Sequence, residues 1–281
     1  MSLVVVNPGP SAIMQDLGRY GHLTSGVGIS GAFDRRALSF ANRLVGNSES
    51  FAAIEILGGG FECETNGATV IAITGARGEV FVNDVVVSRN VPIVLRHSDR
   101  VRVATPAKGI RSYLAVSGGV DVPYVLGSAS WDTLARLGPA PLVAGQVLTT
   151  GQAHPHVPGI DIGVERRLST TLIVTPGPHP SFFVDDALAS LVQHEYVVSA
   201  HSDRIGVRFT GAALARVTGM ELPSAPMVRG AIQVPPDGQP LMLGPDHPVT
   251  GGYPVVAVVT EHSVDDAAQF TPGLHVRFQL A

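Results

Sequence analysis

The feature that most limits what this chain can fold into is the length of its apolar runs. None is long, and almost all end within a few residues at a glycine or a proline. Residues 3–6, 68–73 (ATVIAI), 93–95, 100–103 and 111–116 each fit a short strand, and so do 172–174, 196–198, 207–209, 231–234, 241–243, 255–259 and 275–278. Residues 79–87 (EVFVNDVVV) hold two such runs around Asn83-Asp84. Both central residues tolerate positive φ, so the segment predicts a β-hairpin. With 32 glycines and 21 prolines to supply turns, the pattern predicts a mainly β protein with a few short helices. Barrels or sandwiches fit this spacing; alternating βαβ units do not.

Four segments have helical spacing. The clearest is 34–45, where Ala37, Leu38, Ala41, Leu44 and Val45 share one face, Asp34 sits in the first turn and Gly46 follows the end. Residues 185–193 form a second, and 212–217 and 264–270 are shorter. Between 151 and 171 periodicity fades, with steps into proline at His154-Pro155 and Val157-Pro158. The chain is divided there into domains 1–155 and 156–281. No sequence repeat links the halves.

Composition narrows the function. Nineteen basic against 23 acidic residues leave a net charge of -4, without the broad basic surface of a nucleic-acid binder. The run 255–259 is far too short to cross a bilayer, and the N-terminus lacks a basic segment followed by an apolar one. A cytoplasmic protein is expected. Cys63, the only cysteine, excludes an internal disulfide framework and a multi-cysteine zinc site. His154, His156 and His179 match no zinc spacing, so no metal is expected. Lys108 is the only lysine. It lies in no phosphate loop, no Ser-Ser-Lys amidase set and no Met-Lys biotin-attachment context.

Four polar segments are candidates for chemistry. Gln15-Asp16-Leu17-Gly18-Arg19 offers an acid and a base that either bind a polar ligand or pair with each other in a turn. Gly26 to Asp34 is a glycine-rich approach to the first helix, where Ser30 either helps to hold an anion or caps the helix. Ser202-Asp203-Arg204 precedes a strand; Arg204 there either grips a carboxylate through two hydrogen bonds or forms a surface ion pair. Residues 230–253 hold Gln233 among apolar neighbours, a Pro235-Pro236-Asp237-Gly238 turn, and Asp246-His247 ahead of Thr250-Gly251-Gly252-Tyr253.

Taken in order, these segments resemble one family: the biotin-dependent carboxyltransferase-like family that includes KipA and one of the subunits of 5-oxoprolinase, and whose members are often labelled allophanate hydrolase subunit 2. The matching blocks include Gln15-Asp16-Leu17-Gly18-Arg19, Ser30-Gly31-Ala32 with Asp34, Leu44-Val45-Gly46-Asn47, Glu55 and Thr74-Gly75-Ala76. They continue through Arg111 with Tyr113-Leu114-Ala115-Val116, Leu126-Gly127-Ser128, Gly177-Pro178, Ser202-Asp203-Arg204, Ala231-Ile232-Gln233, Asp246 and Thr250-Gly251-Gly252-Tyr253. The sequence departs from the family at Ala129-Ser130-Trp131, where Arg-Ser-Thr is usual, at Ile205, and at His247-Pro248-Val249.

The resemblance implies cyclophilin-like β-barrel domains and a KipI-like partner subunit, with a LamB/YcsF-type third subunit in 5-oxoprolinase. It implies a small cyclic amide as substrate and ATP as a co-substrate bound elsewhere in the complex, with no metal or covalent biotin on this chain. On it, Asp203, Arg204 and Asp246 are assigned to catalysis. Gln15, Asp16, Arg19, Ser30, Asp34, Arg111, Tyr113, Gln233, Thr250 and Tyr253 are assigned to substrate binding. The expected activity is that of one component of an ATP-dependent 5-oxoprolinase. The alternatives are a KipA-like module that sequesters its partner, or a urea- or allophanate-type carboxyltransferase or hydrolase subunit.

Overall fold

The computed structural model describes residues 1–151 and 167–281. The expected boundary at 155/156, and His154 and His156 with it, lie outside them. The described residues are mainly β, with three α-helices: α1 (Arg35–Leu44), α2 (Ala187–Gln193) and α3 (Glu261–Ala267). They divide into two compact units. The first holds 1–20, 30–132 and the chain from 136 up to the start of the second; the second holds 168–281 together with 21–29 and 133–135.

The first unit has a six-stranded and a five-stranded sheet. Period-two alternation explains how the five-stranded one is used. In Ala53–Leu57, Thr69–Arg77 and Lys108–Val116, the residues Ile54, Ile56, Ile71, Ile73, Leu114 and Val116 join a core with Leu3, Val5, Phe61 and Cys63 of the other sheet. The intervening Ala53, Ala72 and Ala115 face α1 and pack with its Leu38, Ala41 and Leu44. Small residues there let the helix approach closely. Both faces of the sheet are covered, so its strands are apolar almost throughout. The expected hairpin forms: Val80–Val82 pairs with Val85–Val87, with Asn83 and Asp84 at φ 50 and 64.

The second unit contains a closed barrel of seven strands, sealed where Thr171–Pro176 runs parallel to His275–Leu280. Closure leaves no strand edge open in the barrel. Tyr196, Phe209 and Phe278 meet edge to face inside it, a geometry that adds about 0.5–1.5 kcal/mol per pair beyond area burial.

The helices differ from expectation in three places. Asp34, not Ser30, is the N-cap of α1, and its Oδ1 accepts from Ala37 N at 3.0 Å. Helix α3 starts three residues before the expected 264. Residues 212–217 form no helix, because their amides are spent on distant segments: Leu214 N donates to Gly238 O and Val217 N to Phe182 O, both at 2.9 Å.

Candidate functional site

The alternation that seats α1 also carries Glu55, Arg111 and Tyr113 to the helix-facing side of the sheet. There they meet the start of α1. Glu55 Oε2 accepts from the Tyr113 hydroxyl at 2.7 Å and from Phe33 N at 3.1 Å. The Tyr113 oxygen in turn accepts from Asp34 N at 2.8 Å. Arg111 Nε lies 3.6 Å from Glu55 Oε1, and its guanidinium lies 4.6 Å from the Phe33 ring centroid. Burial, then the nearby Glu55 and Asp34 carboxylates, push the Tyr113 hydroxyl well above its ordinary value. The phenol therefore stays protonated and serves as a donor. Glu55 is the hub of this cluster; the family resemblance marked it as a matching position but gave it no role.

A second cluster organises residues 128–137. Asp16 Oδ1 accepts from Gly18 N (2.7 Å), Ser128 Oγ (2.7 Å) and Ser130 Oγ (2.6 Å), and Oδ2 accepts from Ala129 N (2.7 Å). Arg19 is almost fully buried. It donates through Nη2 to Ser130 O and Leu137 O, and its Nη1 lies 4.0 Å from Asp132. Asp16 and Arg19 therefore do not pair with each other, and Asp16 has its carboxylate filled by protein donors. It positions the loop instead of offering an open acceptor. Gln15 Nε2 and Ser30 Oγ both donate to Trp131 O, at 2.7 and 3.4 Å. Gln15 Oε1 is buried and has no hydrogen-bond partner among the described residues, which leaves an acceptor at the heart of this cluster.

In the second unit, Arg204 and Asp246 form a two-point pair, Nε to Oδ2 at 2.8 Å and Nη2 to Oδ1 at 2.9 Å. Thr133 adds its backbone N and hydroxyl to the same Oδ2, at 2.9 and 2.8 Å. The edge of Arg204 expected to grip a substrate carboxylate is thus filled by Asp246, and both Asp246 oxygens are committed. Asp203 does not pair with Arg204. It is exposed, and its Oδ1 accepts from Ile205 N and Gly206 N in a tight turn.

Upstream of Asp246, Gln233 points inward as expected. Its Nε2 donates to Tyr253 O at 3.3 Å and reaches Met227 Sδ at 3.4 Å. A side chain at Gly251 would put a Cβ 2.5 Å from that nitrogen, so the Gln233 amide would have to move. Thr250 and Tyr253 are exposed on either side. His179, weighed in the sequence only as a metal ligand, belongs here too, with Nδ1 3.1 Å from Val255 N.

Among the described residues no group of three or more His, Cys, Asp or Glu is placed to hold a metal ion, and no helix is long and apolar enough to cross a membrane. A surface depression of about 250 Å³ in the first unit is lined by Glu62, Asn83, Asp84, Arg100 and Arg102 and contains none of the candidates.

Residues 25–280 match the family model described as carboxyltransferase domain, subdomains A and B. The chain is 33% identical to a 5-oxoprolinase subunit of Escherichia coli (strain K12), over 98% of this chain and 90% of that protein. It is 31% identical to the urea amidolyase of Lachancea kluyveri, over 98% of this chain but 16% of that protein. Among solved structures, TTHA0988 superposes with a TM-score of 0.91 at 31% identity, over 99% of this chain and 55% of that one. The urea amidolyase of Kluyveromyces lactis gives 0.89 at 28% identity, over 99% of this chain and 18% of that one. The chain thus spans about half of the first of these solved proteins and less than a fifth of the second.

Proposed function

The chain belongs to the carboxyltransferase-domain family, subdomains A and B, and from that premise we propose that it is a subunit of an ATP-dependent 5-oxoprolinase, which opens 5-oxoproline to glutamate. The observation that carries this reading is the match to the Escherichia coli 5-oxoprolinase subunit, 33% identical over 90% of that protein, so nearly all that the subunit contains has a counterpart here.

The site chemistry is consistent with a share in an active site. Most charged candidates are spent on partners within the protein: Arg204 on Asp246, Arg111 on Glu55, Asp16 on residues 128–130. In the second unit, exposed Thr250 and Tyr253 add a hydroxyl and a phenol at the surface, with the buried Gln233 amide bonded behind them. Such groups bind and orient a small amide through hydrogen bonds; they do not by themselves supply a nucleophile. The reading therefore gives the remaining chemistry to a KipI-like partner and a LamB/YcsF-type subunit. ATP is a co-substrate assigned to those partners, since Lys108, the one lysine, stands exposed at the start of its strand.

The test is to combine this chain with its KipI-like and LamB/YcsF-type neighbours and follow ATP-dependent glutamate release from 5-oxoproline, with and without the chain. Release that depends on the chain is expected. A stable complex without release would favour the regulatory alternative.

A further inference from the structure

His179 follows Gly177-Pro178 at the end of strand Thr171–Pro176 and precedes the 3₁₀ turn Pro180–Phe182. Its Nδ1 lies 3.1 Å from the backbone nitrogen of Val255. A backbone N–H can only donate, so Nδ1 is the acceptor, and the proton of the neutral ring sits on Nε2. The backbone thus selects the tautomer. The ring is half-buried and is met edge-on by Phe182, with centroids 5.8 Å apart and planes at 82°. Burial lowers its pKa, which keeps the ring neutral near pH 7. Among the described residues Nε2 has no hydrogen-bond partner.

The placement gives that N–H a purpose. Val255 lies two residues past Tyr253 and pairs with Gln233, whose side chain donates to Tyr253 O. His179 and Gln233 therefore brace the same backbone, one at the first amide of the strand and the other at the loop that leads into it. Capping Val255 N–H requires one acceptor only, which an asparagine supplies. What the imidazole adds is a donor on its opposite edge, fixed in direction.

We infer that His179 is a substrate-contacting residue of this site, donating from Nε2 to the carbonyl oxygen of a small amide held at the Thr250–Tyr253 loop. A neutral, pre-oriented donor suits an oxygen on which negative charge grows when the amide carbon is attacked. The inference rests on the proposal that the complex acts on such an amide.

The test uses the chain assembled with its partner subunits and labelled with ¹⁵N-histidine. His179 is expected to show the Nε2–H tautomer, and its Nε2 resonance to shift on addition of 5-oxoproline. His179→Asn keeps an acceptor for Val255 but loses the outward donor. It should leave the urea midpoint near wild type while raising KM for 5-oxoproline about three- to tenfold, the scale of one neutral hydrogen bond. His179→Gln should reverse the pattern, losing stability and retaining more of the affinity. A proton on Nδ1 would overturn the inference. So would turnover of 5-oxoproline by wild type with Nε2 unmoved and KM unchanged in His179→Asn. If wild type does not turn over 5-oxoproline, the 5-oxoprolinase reading fails by itself. The same spectra with urea and with acetamide then decide the matter: a shift with either keeps His179 as an amide contact, and none with both removes it.

Discussion

Arg204 and Asp246 are 42 residues apart in sequence, yet they meet through two parallel hydrogen bonds of 2.8 and 2.9 Å in a setting that leaves 8% of one side chain and none of the other exposed. Such a pair is costly to break, because removing one partner strands the other charge in the interior. Asp246→Ala and Arg204→Met should each cost about 3–5 kcal/mol in a urea titration, and the double variant less than the sum. Arg204→Lys should also fail to restore wild-type stability, since lysine cannot reproduce the fork. Single variants with unchanged midpoints would show that the pair is not closed in solution.

Tyr113→Phe removes a hydroxyl that both donates to Glu55 and accepts from Asp34 N. Two buried polar groups lose a partner at the start of α1. A destabilisation of about 1–3 kcal/mol is expected, accompanied by faster hydrogen exchange in the first turn of α1. Equal exchange rates would place the hydroxyl outside the support of that helix.

Cys63 lies in the core between the two sheets of the first unit, where burial pushes its thiol up to about 12. The thiolate is the reactive species, so the native protein should resist a thiol reagent at about pH 8 and react only after unfolding. Rapid labelling of the native chain would contradict this placement.

His179 titrates below its ordinary value of 6.5 because it is partly buried. The unfolded chain takes up that proton more readily than the folded one. The stability linked to neutral His179 is therefore complete above about pH 6.5 and is lost as the pH falls through the lower folded value. Protonation also places a proton between Nδ1 and Val255 N–H. Urea midpoints of wild type and His179→Asn should thus agree near neutrality and diverge on acidification, with wild type falling faster. Parallel curves would count against the assignment.

Gly251→Ala sets a methyl group 2.5 Å from Gln233 Nε2. A flexible amide can swing away, so stability should fall by no more than about 1 kcal/mol. The swing breaks the bond to Tyr253 O, and KM in the assembled complex should rise about threefold or more; an unchanged KM would separate Gln233 from substrate binding.

The elements that local spacing specifies were legible. Asn83-Asp84 sets its hairpin through residues that accept positive φ, and the apolar face of 34–45 sets its helix. Residues 212–217 misled because helical spacing cannot reveal that Gly238 and Phe182 would claim their amides. The candidate residues were found largely through family resemblance, but which residues they pair with was not. Nothing near Asp16 announces Ser128 and Ser130, and nothing near Arg204 announces Asp246, because those contacts close over more than 40 residues and depend on strand order. Glu55 lies in a strand whose neighbours are apolar. Its role emerges only once Lys108–Val116 brings Arg111 and Tyr113 beside it.

Thr133 belongs to the second compact unit although it precedes residue 151, and its amide and hydroxyl both serve Asp246. Cutting the gene once near the middle would therefore not yield two self-sufficient halves. A fragment that begins at Leu168 would inherit Asp246 and Arg204 but leave behind two of the donors to that carboxylate. Protein engineers who wish to split, permute or fuse this chain should treat residues 133–135 as travelling with the C-terminal piece.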